Sequence, residues 1–284
     1  MIGLSTTYYA TQGLSIHDSV LRIVELGFDV VEFGPAHIFE EDIWKILNEV
    51  KRDFPKVNFT VHTLFPPLKD KIWFNPSDGL TRVNKEIVDN LFQSAIILNA
   101  LLISIHPPVL NEVSLGSKIE GNFDEPLIGK HKNKSSSSRN FIIFMDYVNK
   151  KAEQCGIKIL IENMDENLMR TILSTKYDFM KIFEQFPRTG LLLDIGHALL
   201  CNRLQELIEL EGYIYGLHLH NGDTTTRGRW AHLPIKGKAY FEPIQKIISI
   251  DSIPIIFEHG ADVLEEEILE EKSLLEDFIK DSVT

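Results

Sequence analysis

Lys158-Ile-Leu-Ile-Glu162-Asn163, Leu191-Leu-Leu-Asp194-Ile-Gly-His197, Ile214-Tyr-Gly-Leu-His218-Leu-His220 and Ile253-Pro-Ile-Ile-Phe-Glu258-His259-Gly260 are four short apolar runs, each closing on a metal-ligand residue type. Two earlier runs do the same, Thr60-Val-His62-Thr63 and Leu101-Leu-Ile-Ser-Ile-His106-Pro-Pro108. A carboxylate at the end of a strand buried on both faces is costly to desolvate unless a cation or a partner compensates it. The economical explanation is a set of ligands converging on one or more divalent metals at the mouth of a parallel barrel. The pattern therefore predicts an α/β chain folded as a single (β/α)8 TIM barrel.

Working outward, short apolar runs alternate with amphipathic helical segments along the whole chain, the sequence sign of βαβ units. The first four strands are expected over residues 2–5, 29–33, 57–63 and 101–106, and the four runs quoted first supply strands five to eight. Helices are expected from Ser15, whose Ser15-Ile-His-Asp18 opening resembles a capping box, to Gly27, and over 40–53 and 82–99. In the third of these, Ile87, Leu91, Ala95 and Ile96 recur at helical spacing. Further helices are expected over 141–154, 177–186, 198–210 and 241–250, and an acidic one over 261–279 that packs outside and closes the barrel.

Two connections break the regularity. Residues 109–139 read as a long polar loop after strand four, ending in Lys130-His-Lys-Asn-Lys-Ser-Ser-Ser-Ser-Arg139. Residues 221–238, after strand seven, carry Arg227, Arg229, His232, Lys236 and Lys238. Both fall at the end that carries the ligands, which predicts a lid over an anionic substrate; a solvated flexible loop is the plainer reading of the Lys/Ser stretch.

The bulk numbers fit one domain spanning 1–284, since barrels of about 250 residues form single domains. A net charge of −12 repels nucleic acid unless a local basic groove overcomes it. The two cysteines, Cys155 and Cys201, form no C-x-x-C pair, which argues against a disulfide framework or a thiolate zinc site. The chain enters a strand at once through Met1-Ile-Gly-Leu-Ser5, and no apolar run approaches the ~18 residues needed to span a bilayer. The expectation is a soluble protein of a reducing compartment, the cytoplasm, with no membrane partner.

Glu162, Asp194, His218 and Glu258 come from strands five to eight and so neighbour one another around the rim. Three carboxylates and one imidazole suit a hard or borderline dication: Mn²⁺, Mg²⁺, Co²⁺ or Zn²⁺. His62 and His106 could hold a second metal with Glu162 bridging, or could simply hydrogen-bond their neighbours as buried histidines do. His197 follows Asp194 at the strand-to-helix turn and points to the same rim. His220 shares a face with His218 because side chains repeat every two residues, so one of the pair is expected as a ligand and the other toward substrate. Glu32 closes strand two and either binds substrate or caps the next helix.

With these residues in place, the chain resembles the xylose isomerase-like TIM-barrel superfamily, which includes sugar isomerases and epimerases and AP endonucleases of the endonuclease IV type. The matching segments are Val31-Glu32-Phe-Gly34, Val61-His62, Ile105-His106-Pro107, Ile161-Glu162-Asn163, Asp194-Ile-Gly-His197-Ala198, His218-Leu-His220-Asn221, His232-Leu-Pro-Ile235 and Phe257-Glu258. For the endonuclease branch, the resemblance implies three zinc ions with ligands at His62, His106, Glu162, Asp194, His197, His218, His232 and Glu258. The ninth ligand, an aspartate two residues before His232, is here Trp230. That departure implies weak or absent occupancy near His197 and His232, leaving both to contact substrate with Arg227, Arg229 or Lys236. For the isomerase and epimerase branch, one metal on Glu162, Asp194, His218 and Glu258 suffices, and that set is complete. There the metal stabilises an enediolate while Glu162 and Glu258 move protons on opposite sides of the reacting carbon. The resemblance, the acidity and Trp230 together favour a sugar or sugar phosphate as the partner. Nucleic acid belongs to the nuclease alternative, and a homo-oligomer is compatible with either branch. A barrel serving as a binding module is the third reading, and the presence of all four core ligands speaks against it.

Overall fold

Alternation with period two sorts each apolar run into a side that faces the helices and a side that faces the barrel axis. The computed structural model describes residues 1–70, 72–120, 123–223, 230–248 and 252–283. Eight parallel strands close on themselves in chain order: β1 (Ile2–Ser5), β2 (Val30–Phe33), β3 (Asn58–His62), β4 (Leu102–Ile105), β5 (Lys158–Glu162), β6 (Thr189–Asp194), β7 (Ile214–Leu219) and β8 (Ile255–Phe257). The expected (β/α)8 barrel is the observed one.

Ile159, Ile161, Leu191, Leu193, Leu217 and Leu219 are buried in the large cluster shared with the helices. Leu102, Leu160 and Leu192 pack as a separate cluster. Two residues further along the same strands stand Ser104, Glu162 and Asp194, all buried. The axis therefore runs from an apolar floor to a polar mouth at the C-terminal strand ends. The floor is narrow: a Cβ on Gly3 would lie 2.6 Å from Ile256 Cδ1 of the neighbouring β8 and 2.6 Å from Val30 O. Only glycine fits there.

Helix starts follow local capping chemistry. The Ser15 hydroxyl accepts from Asp18 N (3.1 Å) to open Ile16–Glu25, and Thr175 with Asp178 forms a reciprocal box ahead of Lys176–Gln185. The helix Arg82–Leu98 ends on Asn99 in the left-handed region. Other bounds shift from expectation: the helices run over Ile43–Asp53 and Glu265–Val283. The helix expected over 198–210 is two short ones, Ile195–Leu200 and Leu204–Ile208, separated where Asn202 takes φ +55°. In place of the helix expected over 241–250, Pro243 lies in a short 3₁₀ turn, Glu242–Ile244, followed by the single helical turn Gln245–Ile248.

The larger correction concerns 109–139. An antiparallel ribbon, Asn111–Glu120 with Phe123–His131, replaces the expected loop, and the following helix runs over Lys134–Cys155. The ribbon satisfies its own backbone groups, pairing Val113 with Ile128 and Leu115 with Pro126. The serine run is helical because Asn133 caps it, its side chain accepting from Ser136 N at 3.1 Å. Lys132 is tied to Asp78 at 2.6 Å. Asn221–Asp223 likewise pairs with Trp230–Leu233 as a short ribbon, while Arg227 and Arg229 lie outside the described residues. Among the described residues no helix is long and apolar enough to cross a membrane.

Candidate metal centre

His218 is fully buried at the centre of the barrel mouth, and its two ring nitrogens face different surroundings. Nε2 lies 3.0 Å from Glu32 Oε2, and a carboxylate oxygen accepts, so the ring donates its proton there. The other nitrogen, Nδ1, stands 3.1 Å from Glu258 Oε2, 3.3 Å from Glu162 Oε1 and 3.9 Å from Asp194 Oδ2. A neutral imidazole would thus turn a lone pair toward three carboxylates. His218 Nδ1, Glu162 Oε2 and Asp194 Oδ2 are all buried without a hydrogen-bond partner among the described residues. Acceptors turned on one another need a positive charge between them.

The electrostatics of the same groups make the same demand. Burial opposes charge on His218, yet the carboxylates of Glu32 and Glu258 raise its pKa well above the usual histidine value. Burial pushes Glu162 up to about 8, against the pull of His218. Glu258 goes the other way: burial opposes its charge, but the adjacent His218 holds it well below the usual carboxylate range. Glu162, Asp194, His218 and Glu258 offer one donor atom each, all within 4.8 Å of one another, and three carboxylates with one imidazole fit a hard or borderline divalent ion.

Two further groups flank this one. His62 Nε2 lies 3.0 Å from His106 Nε2, and these atoms stand 3.6 and 3.7 Å from Glu162 Oε2. On the other side, His197, His220 and His232 gather around Asp194, with His220 Nε2 3.1 Å from Asp194 Oδ1. A cavity of about 250 Å³ opens over the centre, lined by His106, Glu162, Met164, His197, His232 and Glu258 among others. A second cavity, of about 200 Å³, shares Pro35 with it but is walled by Ile38, Phe39, Leu68 and Trp73, and the ligand groups do not line it.

The sequence profile of the xylose isomerase-like TIM-barrel family matches residues 20–277. This chain belongs to that family. It is similar to an uncharacterized protein of Methanocaldococcus jannaschii, 22% identical over 259 residues and 90% of each chain. Among solved structures it resembles a D-tagatose 3-epimerase-like protein, with TM-score 0.70, 21% identity and coverage of 100% of this chain and 99% of that one. It also resembles an AP endonuclease, family 2, from Brucella melitensis, with TM-score 0.65, 14% identity and coverage of 94% and 95%. At these identities the structural likeness speaks for the fold alone.

Within this family barrel, the strand ends and the connections that follow them bring His62, His106, Glu162, Asp194, His197, His218, His232 and Glu258 into adjoining clusters at one mouth. Glu32 and His220, expected to face substrate, are instead buried: Glu32 holds His218, and His220 sits beside Asp194. Lys236 is exposed and does not line the cavity, nor do residues 130–139. Sequence reasoning missed several residues that hold the ligands. Asn163 exchanges two hydrogen bonds with the Asp194 backbone, both 2.8 Å, locking β5 to β6. Gly196 leaves room for the His220 ring, whose atoms would lie 2.0–2.6 Å from a Cβ. His259 and Glu271 meet at 2.8 Å, both buried, and Glu271 also accepts from Ile235 N at 2.9 Å.

Proposed function

We propose that the chain is a divalent-cation-dependent isomerase or epimerase acting on a sugar or a sugar phosphate. The observation that carries this reading is His218 Nδ1, buried and facing three carboxylates, two of which, Glu162 and Glu258, line a cavity of about 250 Å³. The likeness to a D-tagatose 3-epimerase-like protein supports the choice of substrate class. Glu162, Asp194, His218 and Glu258 would hold Mn²⁺, Co²⁺, Mg²⁺ or Zn²⁺. Bound there, the ion supplies Lewis-acid stabilisation of the negative charge that develops on a sugar's carbonyl and neighbouring oxygen.

The chain's own residues do the rest. Glu162 and Glu258 flank His218 Nδ1 and both line the cavity, so one is placed to take a proton from the reacting carbon and the other to return one. Thr7, Thr11 and His106 on the cavity wall offer hydrogen bonds to substrate hydroxyls, while Met164 and Pro35 cover apolar ring faces and displace water. Glu32, Asn163 and Ser104 act behind them, fixing His218, Asp194 and His62.

One observation favours a second reading, phosphodiester hydrolysis at an abasic site: His62 and His106 give Glu162 a further set of donors beside the main centre. The deciding experiment runs keto-sugar isomerisation and epimerisation with each of the four ions, beside incision of a duplex carrying an abasic site. Sugar turnover that depends on the added ion is the expected result. Efficient ion-dependent incision without sugar turnover replaces the proposal with the nuclease.

A further inference from the structure

We infer that the second cavity, beyond Pro35, is a subsite for an uncharged aromatic group carried by the substrate, so that the chain takes an aryl-substituted sugar. This deepens the sugar chemistry proposed above and rests on it. Three pieces of chain outside the ligand set build the cavity. The connection after β2 gives Ile38 and Phe39, the connection after β3 gives Leu68 and Trp73, and the outer ribbon gives Leu115. Pro35 is the partition, since it lines this cavity and the catalytic one. Its carbonyl accepts from Thr7 Oγ1 at 3.4 Å, and Thr7 also lines the catalytic cavity. A ligand seated over the carboxylate centre therefore reaches the second cavity by passing a single residue.

The chemistry of the wall selects the occupant. Lys69 and Asp70 are exposed, and burial lowers the His37 pKa to about 4, so that ring is neutral. A charged group entering here would be desolvated with no buried counter-charge among the described wall residues, which excludes a phosphate at this end of the substrate. Ile38, Phe39 and Ile72 stand exposed around the cavity, large apolar side chains that gain from being covered. The Trp73 indole N–H is buried with no hydrogen-bond partner among the described residues, a donor that an oxygen of the ligand can satisfy. Ala36 at φ +74° and Leu64 at φ +69° both line the cavity in the left-handed region that such residues rarely adopt. Strain of this kind collects at ligand clamps.

Size fixes the group. An apolar cavity of ~150 Å³ accepts benzene, so one of about 200 Å³ takes a phenyl ring and the short link that carries it. The link must leave the reacting carbonyl and its neighbouring hydroxyl free for the carboxylate centre, so it is an ether, ester or glycosidic oxygen on a remote carbon. The probes are D-fructose and 6-O-benzyl-D-fructose, titrated calorimetrically into the protein with and without Mn²⁺. The benzyl ether should bind at least about tenfold tighter than the parent ketose in both states. Its binding should also change tryptophan emission, a change absent in Trp73→Phe. Leu68→Trp fills the cavity and should remove the affinity gap while D-fructose binds as it does to wild type. If that variant does not fold, as judged by circular dichroism, Ile72→Glu serves, because this exposed side chain sets a charge against the ring. Equal affinity for the two probes, or binding of neither, overturns the inference, as does a gap that survives in the folded variant. A second copy of the chain seated on the apolar rim would show instead as a dimer in sedimentation that Ile72→Glu dissociates, with no gap between the probes, and that too overturns it. Mn²⁺-dependent turnover of both ketoses without an affinity gap removes only the subsite, whereas a gap without turnover keeps the subsite and removes the proposed function.

Discussion

At the residue scale, His218 shows how a single tautomer organises a site. Glu32 accepts the Nε2–H at 3.0 Å, and that leaves the lone pair of the other nitrogen facing Glu162, Asp194 and Glu258. Glu32→Ala should therefore weaken cation binding without touching a ligand, by roughly 10–100-fold, the usual cost of losing such an outer partner. Isothermal titration with Mn²⁺ reads it, and an unchanged affinity would show that the ring needs no anchor. Glu258→Gln removes a charged ligand and a proton carrier together. Its turnover should vanish and its cation affinity fall, while far-UV circular dichroism stays that of wild type; full activity in this variant would remove Glu258 from the proposed chemistry. That Glu162, Asp194, His218 and Glu258 would meet at one end of the barrel was legible in the sequence because each ends an apolar run. The role of Glu32 was not, because the distance from strand two to strand seven is set only when the barrel closes.

At the scale of elements, the final helix does more than close the barrel. Ile268, Glu271, Leu275 and Phe278 are all buried, at spacings of three and four, so an acid stands on the apolar stripe of Glu265–Val283. That misplaced acid is the signal sequence reading passed over when it took the helix as simply acidic. Glu271 holds His259 through one oxygen and Ile235 N through the other, and His259 Nδ1 lies 3.3 Å from His232 O. Glu271→Ala leaves two buried donors unpaired, which should cost about 2–4 kcal/mol of folding stability. Urea denaturation measures this directly, and a loss below about 0.5 kcal/mol, the range of ordinary surface changes, would refute it. The ribbon over 111–131 was illegible for a different reason. Its strands pair with each other, outside the barrel sheet, and its Val113 and Leu115 are too few to stand out against polar neighbours.

At the scale of the whole molecule, stability should depend on pH through His37, which lies in the connection after β2 and outside the ligand set. Burial lowers its pKa to about 4. The Thr6 hydroxyl accepts from Gly34 N at 3.1 Å and stands 2.9 Å from His37 Nε2, a single neutral partner that does nothing to offset a charge on the buried ring. An unfolded histidine titrates near 6.5, so between these values the unfolded chain binds more proton than the folded one. The contribution is complete above about pH 6.5 and is lost as pH falls toward about 4, by ~3 kcal/mol in all. His37→Gln should flatten the dependence of unfolding free energy on pH by that amount over this window, measured on cation-stripped protein. Parallel curves for the two proteins would reject the assignment. By itself, the sequence determined the eight-unit barrel and which donor residues close its strands, since period-two strands, helical stripes and a donor at a strand end are local patterns. What only the tertiary structure decided is which donors meet. Asp194 faces both His218 and His220, Glu162 faces both His218 and His62, and Glu32 stands behind His218, because strand tilt and register fix distances between residues far apart in the chain.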